Sequence, residues 1–133
     1  MKLSKGANKI LKLLRRAGHI VFVEYEFSDL RGNKGIPLRY DFAIMRKDNQ
    51  VAALIEYDGE AHFQQIKHFQ KNSDDFKKAQ ERDRKKNKYA LMHIIPLYRI
   101  PYWEIDNIIQ VEQIFQTKFR VRSKYHNDFL KAP

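Results

Sequence analysis

Asp41, Glu56 and Asp58 are carboxylates set into two stretches, Leu38 to Met45 and Val51 to Asp58, that are otherwise almost wholly apolar. The polar segment Arg46 to Gln50 between them reads as a turn, and Asp48-Asn49 is its best tight-turn pair. A hairpin centred there sets Asp41 directly opposite Glu56, with Cβ atoms about 4.5–5.5 Å apart. Alternation along a strand then points Asp58 to the same side as Glu56. Facing carboxylates repel, and buried charges persist when paired or bound to a metal. An oxygen-rich cluster selects a hard cation, with Mg²⁺ (or Mn²⁺) the natural choice. Such an ion polarises a phosphoryl oxygen and acidifies a bound water. The bland alternative is that Asp41 is an ordinary strand-end acid and Asp58-Gly59 an ordinary turn dipeptide. A longer turn would also shift the register by one residue.

Two further groups stand close in sequence. His62, four residues after Asp58, has the chemistry of a general acid or base near neutral pH, or is a plain surface or core histidine. Asp83, Lys86 and Asn87 share one helical face by their i, i+3, i+4 spacing. That face either turns Lys86 towards the carboxylates or is a solvated surface, and spacing alone favours the solvated surface.

These residues need elements to hold them. Ser4 to Ala17 reads as an amphipathic helix, with Ile10, Leu11, Leu13 and Leu14 on one face, Ser4 as N-cap and Gly18 as stop. His19 to Phe27 reads as a strand and Ser28 to Pro37 as a loop. The two carboxylate-bearing strands follow, apolar enough for both faces to be covered. Ser73 to Leu91 reads as a long charged helix, started by Ser73-Asp74-Asp75. Met92 to Ile100 is a strand in which Pro96 marks an edge or bulge. Glu104 to Phe119 reads as a final amphipathic helix. From about residue 120 a basic tail follows, with Tyr125 and Phe129 interspersed. The order is that of one α/β domain, a small mixed sheet flanked by helices.

Composition narrows the partner. The chain has 133 residues, the size of a single domain, and 43% of them are hydrophobic. Lys and Arg number 26 against 16 Asp and Glu, a net charge of +10. That excess suits a polyanion, since phosphate neutralisation releases counterions. The expected contacts are Arg31 and Lys34 in the first loop and Arg120, Arg122 and Lys124 in the tail. No apolar run is long enough to span a bilayer, so no membrane is expected. Met1 to Ala17 is too charged for a secretory signal. The absence of cysteine excludes disulfides and thiolate zinc sites and fits a reducing, cytoplasmic setting.

The sequence resembles the PD-(D/E)XK nuclease superfamily, with an Asp in the second strand and a Glu in the third. More closely, it resembles the branch of very-short-patch-repair-like nucleases and phage EDxHD homing endonucleases. The likeness lies in Arg39-Tyr40-Asp41-Phe42, Ile55-Glu56-Tyr57-Asp58-Gly59-Glu60-Ala61-His62-Phe63, Asp83-Arg84-Lys85-Lys86-Asn87 and Tyr98-Arg99-Ile100-Pro101-Tyr102. It implies an αβββαβ(α) restriction-endonuclease-like core and Mg²⁺-dependent phosphodiester hydrolysis in double-stranded DNA. It further implies metal ligands at Asp41, Glu56 and the Tyr57 carbonyl, a catalytic His62, and roles for Asp83 and Lys86. Two positions depart from the pattern. The superfamily lysine, two residues after the strand acid, is Asp58 here. Where the branch often carries Ser-x-Gly-Glu, this chain reads Ser4-Lys5-Gly6-Ala7. Ala7 is therefore either the place of a missing active-site Glu, lost naturally or by deliberate inactivation, or simply a good helix former.

Three rivals share these features: a structure-selective junction resolvase, favoured if the chain forms a homodimer; a catalytically impaired DNA-binding module on the same fold; and a basic RNA-binding or structural protein without an active site.

Overall fold

The computed structural model describes residues 2–60, 74–130 and 132–133. It is an α/β arrangement with a four-stranded mixed sheet. Helix α1 (Lys5–Arg16) leads into β1 (Ile20–Arg31), β2 (Pro37–Met45) and β3 (Val51–Asp58), and helix α2 (Asp74–Met92) precedes β4 (Leu97–Pro101). The sheet order is β1-β2-β3-β4. The first three strands are antiparallel, and β4 lies parallel to β3.

Helix α1 forms as its pattern requires. The Ser4 hydroxyl accepts from the Ala7 amide at 3.2 Å, which satisfies one of the open N–H groups of the first turn. Gly18 follows the helix with φ +90°, the left-handed conformation in which a residue without Cβ carries no penalty. The apolar stripe Ala7, Ile10, Leu11 and Leu14 packs with Phe42, Ile44, Ala53 and Ile55 on one sheet face. On the other face Tyr40, Ala43, Met45 and Leu54 join Ala90 of α2, Leu97 and Val121. Both faces of the central strands are covered, which is why they read as almost unbroken apolar runs.

Three boundaries differ from those read in the sequence. β1 runs on to Arg31, so the first loop shrinks to the residues between Arg31 and Pro37, which pair with each other. Residues Met92 to Ile95 are the last residue of α2 and the turn that follows it, and not a strand. His93 and Ile95 donate to the carbonyls of Tyr89 and Ala90, and Ile94 takes φ 54°, closing the helix in the manner usually left to glycine. β4 therefore starts after Pro96, whose carbonyl accepts from Leu54 N. The expected helix from Glu104 to Phe119 is instead three short 3₁₀ segments, Tyr102–Asn107, Val111–Phe115 and Thr117–Phe119. Its β-branched residues Ile105, Ile108, Ile109 and Val111, with Asp106 and Asn107, weaken an α-helix. The Gln113 side chain accepts from the amides of Ile109 and Gln110 and restarts the chain there. Ile108, Ile114 and Phe119 still reach the core.

The segment from 120 is folded onto the body and is not a free tail. Tyr98 and Arg120 form an antiparallel bridge, and Val121 N donates to Leu97 O, which covers the outer edge of β4.

Candidate active site

The hairpin that carries the acids keeps the expected pairing by an unexpected route. Arg46 N donates to Gln50 O, closing a five-residue loop, and one extra residue in β3 then restores the register. From there Ile44 faces Ala53 and Phe42 faces Ile55, so Asp41 comes opposite Glu56. The paired ladder ends at Phe42 and Ile55. Beyond it, side chains replace the backbone bonds. Asp41 N donates to Glu56 Oε1 at 3.2 Å, and Tyr57 N donates to Asp41 Oδ2 at 2.7 Å.

The reason for the gap lies in β1 and β2. Residues two apart on a strand share a face. Val23 and Phe42 pack on the α1 side, yet Tyr25 and Tyr40 pack on the α2 side. Both strands turn over at one shared point between these pairs. Glu24 stands there with φ 52°, flanked by Val23 opposite Phe42 and Tyr25 opposite Tyr40. Asp41 is the β2 residue at that point, where the sheet opens into a cleft.

The cleft, of about 370 Å³, is lined by Asp41, Glu56, Tyr57, Asp58, Asp83 and Lys86, with Pro37, Leu38, Arg39, Ala79 and Arg82. It thus gathers most of the catalytic and metal-ligand candidates singled out in the sequence, and none of the expected DNA contacts. Lys86 is not on a solvated helix surface. Its ammonium lies 2.5 Å from Glu56 Oε1, and the two side chains are only 13% and 8% exposed. Tyr40 fixes it there twice, by donating to the Lys86 carbonyl at 2.7 Å and by offering its ring 5.3 Å from the Lys86 Nζ.

Asp41 carries the strongest electrostatic signature. Burial first, and then the negative charge of Glu56, push its carboxyl up to about 7, against the opposing pull of the Tyr57 amide and Lys86. Here is a buried carboxylate held beside another, where its charged form is disfavoured. That is the environment a cation would relieve.

Two residues along β3, Asp58 has a different setting. Its Oδ1 accepts from Arg99 Nη1 at 3.0 Å and its Oδ2 from Asn127 Nδ2 at 3.3 Å. Arg99 Nε donates to Asn87 Oδ1 at 2.7 Å, and Asn87 Nδ2 donates to Asn127 Oδ1 at 2.9 Å. The four side chains close a hydrogen-bonded ring. The Arg99 side chain is 1% exposed, and its Nη2 lies 3.7 Å from Asp83 Oδ1. Burial opposes its charge, but Asp58 and Asp83, then Glu56 and Asp41, raise its pKa and keep it a cation.

Other singled-out positions fall elsewhere. Ala7 is buried in the apolar cluster with Ile10, Phe42 and Ile55 and is not among the residues lining the cleft. Its neighbour Gly6 has a clear role, since a Cβ there would overlap the Tyr57 ring. Arg31 closes the first loop by donating to Ser28 O and Gly35 O, and Lys34 is exposed within that loop with φ 58°. The loop leads directly into Pro37, Leu38 and Arg39 at the cleft. Arg120 lies over the Tyr98 ring and Lys124 over the Tyr125 ring, while Arg122 is exposed. His62 lies outside the described residues.

Sequence reasoning assigned no role to Arg99 or Asn127 and left Asn87 on a solvated face. A signal for Arg99 was present, namely a charged residue between Tyr98 and Ile100 in an otherwise apolar strand. Asn127 carried none.

Among the described residues no three His, Asp or Glu side chains form a ready-made metal cage. Asp41 and Glu56 supply two carboxylates, and Mg²⁺ is commonly held by one or two carboxylates together with water and substrate phosphate. No helix among the described residues is long and apolar enough to cross a membrane. Comparison with protein-family models, with curated proteins and with solved structures finds no match to this chain.

Proposed function

We propose that this chain is a Mg²⁺- or Mn²⁺-dependent endonuclease that hydrolyses phosphodiester bonds in double-stranded DNA, on a PD-(D/E)XK-type core. One observation carries the reading: Asp41, Glu56 and Lys86 meet in one cleft, with Lys86 delivered from α2 to the acid of β3. On this reading a helix lysine stands in for the strand lysine that Asp58 displaces. Asp41 and Glu56 would hold the ion, with the Tyr57 carbonyl a third ligand by resemblance alone. When bound, the ion would supply charge stabilisation at the phosphoryl group and a more acidic water. Lys86 then places a fixed positive charge beside Glu56, where it can orient the attacking water or neutralise a phosphate oxygen. On this reading the exposed Lys34, in the loop that leads into the cleft, and Arg82 of the cleft lining would meet the phosphate backbone.

The test is nicking of supercoiled plasmid in Mg²⁺ and in chelator, with gel-shift binding measured in parallel. The chain should nick only with the metal, and Asp41→Ala should abolish nicking while leaving DNA affinity within a few-fold. Metal-independent nicking, or an active Asp41→Ala protein, would overturn the assignment.

A further inference from the structure

We infer that Arg99 and Asn87 are positioning residues for Lys86, and that the hydrogen-bonded ring they build sets the register of α2 against β3. The inference rests on the nuclease reading only where activity is concerned.

The geometry is that of two parallel cross-links between the same two elements. β3 contributes Glu56 and Asp58, two residues apart and therefore facing the same way. α2 contributes Lys86 to Glu56 directly. It contributes Asp83 and Asn87 to Asp58 through Arg99, which comes from β4. Asp83 and Asn87 flank Lys86 on one helical face, three residues before it and one after. Arg99 thus holds α2 on both sides of the lysine. Asn87 has no exposed surface and makes three polar contacts, accepting from Arg99 and donating to Asn127 Oδ1 and to Lys124 O. A slide of α2 by one residue, about 1.5 Å, would break that set and carry Lys86 away from Glu56. A long flexible lysine does not choose one rotamer by itself, and here the helix is placed so that the contact needs no search.

The alternative is that the ring only adds stability. A double-mutant cycle separates the two. Lys86→Met and Glu56→Gln are combined in the otherwise unchanged chain and again with Asn87→Leu, and each protein is unfolded in urea. The coupling between positions 86 and 56 should be present in the first cycle and lost in the second. Persistence of the coupling with Asn87→Leu overturns the inference. In nicking assays Asn87→Leu should lower kcat about 10–100-fold, as loss of a supporting contact does, with KM for plasmid within about two-fold. Asn87→Asp, which keeps the acceptor for Arg99, should recover most of that loss. Asn87→Leu should add nothing on a Lys86→Ala background, whereas a purely structural role would multiply the two losses. If Asn87→Leu does not fold, Asp83→Asn, which weakens the longer arm to Arg99, takes its place in the same cycle. A chain that shows the coupling and its loss but nicks no DNA would refute the nuclease reading and leave the positioning role standing.

Discussion

Glu56 and Asp58 sit two residues apart on one strand, both almost fully buried, yet they live in opposite kinds of site. Asp58 has a partner on each oxygen and belongs to a closed ring of side chains from β3, β4, α2 and the C-terminal segment. Glu56 shares its surroundings with Asp41 and has one buried cation, Lys86. Burial first, and then the charge of Glu56, raise the Asp41 pKa to about 7. The Asp58 carboxylate is bonded on both oxygens, and in its network only Arg99 Nη2 lacks a hydrogen bond. Asp41 and Glu56, by contrast, are two carboxylates set together at the wall of a cleft, an arrangement that suits a cation. On the proposed reading the Asp58 side is structural and the Asp41 side chemical.

The largest effect expected on the structural side comes from Arg99→Met. It removes the only guanidinium in the ring and strands Asp58 in the interior. Breaking a buried pair by deleting one partner costs about 3–5 kcal/mol. Urea denaturation should show a loss of that order, and adding Asp58→Asn should recover a good part of it. A cost below about 1 kcal/mol would mean that the ring does not bear on stability.

Asp41→Asn should do the reverse. The Asp41 carboxyl titrates near 7 when folded, against an ordinary value of 3.8. Between these values the folded chain holds a proton that the unfolded chain has released. By linkage, this group's contribution to stability is greatest below the ordinary value and falls as pH rises to about 7. In metal-free buffer Asp41→Asn should therefore match the parent near pH 4 and exceed it increasingly towards pH 7. Mg²⁺ should close that difference by stabilising the parent alone. Chemical denaturation at stepped pH, with and without the metal, reads all of this. A parent that gains stability relative to Asp41→Asn between pH 4 and 7 in chelator would reverse the comparison drawn between the two acids.

These contrasts bear on what the residues reveal before they are folded. The hairpin was legible because apolar runs and a polar turn define it locally, and its register put Asp41 opposite Glu56. The turn itself was misjudged, and an extra residue in β3 compensated. Spacing alone put Lys86 on a solvated surface, and wrongly, since i, i+3, i+4 spacing says which residues share a face and not what the face meets. That depends on how α2 lies on the sheet, which Tyr40, Arg99 and Asn87 decide through contacts as many as 46 residues apart in the chain. Ala7 illustrates the limit of resemblance. The motif drew attention to it, but the α1 stripe buries its methyl with Ile10 and Phe42. The helix expected at residue 104 was lost because apolar spacing compatible with 3.6 residues per turn recurs by chance in a segment of poor helix formers.

The smallest expected effect concerns Lys34 and separates binding from folding. Lys34 is exposed and sits in the left-handed region at φ 58°, ψ 23°. A side chain costs roughly 1–2 kcal/mol in that conformation, and glycine does not incur it. Glycine also has more freedom when unfolded, which returns about 0.4–1 kcal/mol of the gain. Lys34→Gly should thus leave stability nearly unchanged or slightly improved. On the proposed reading it removes one phosphate contact, so the log–log dependence of DNA affinity on salt should flatten by about 0.9. Arg120→Ala is the counterpart. Arg120 lies over the Tyr98 ring at the covered edge of β4, so its loss should lower stability through lost packing. Salt titrations of affinity and urea midpoints for the two variants place them on separate axes. A Lys34→Gly protein with an unchanged salt slope would remove the first loop from the DNA path and leave the cleft assignment to stand on Asp41, Glu56 and Lys86.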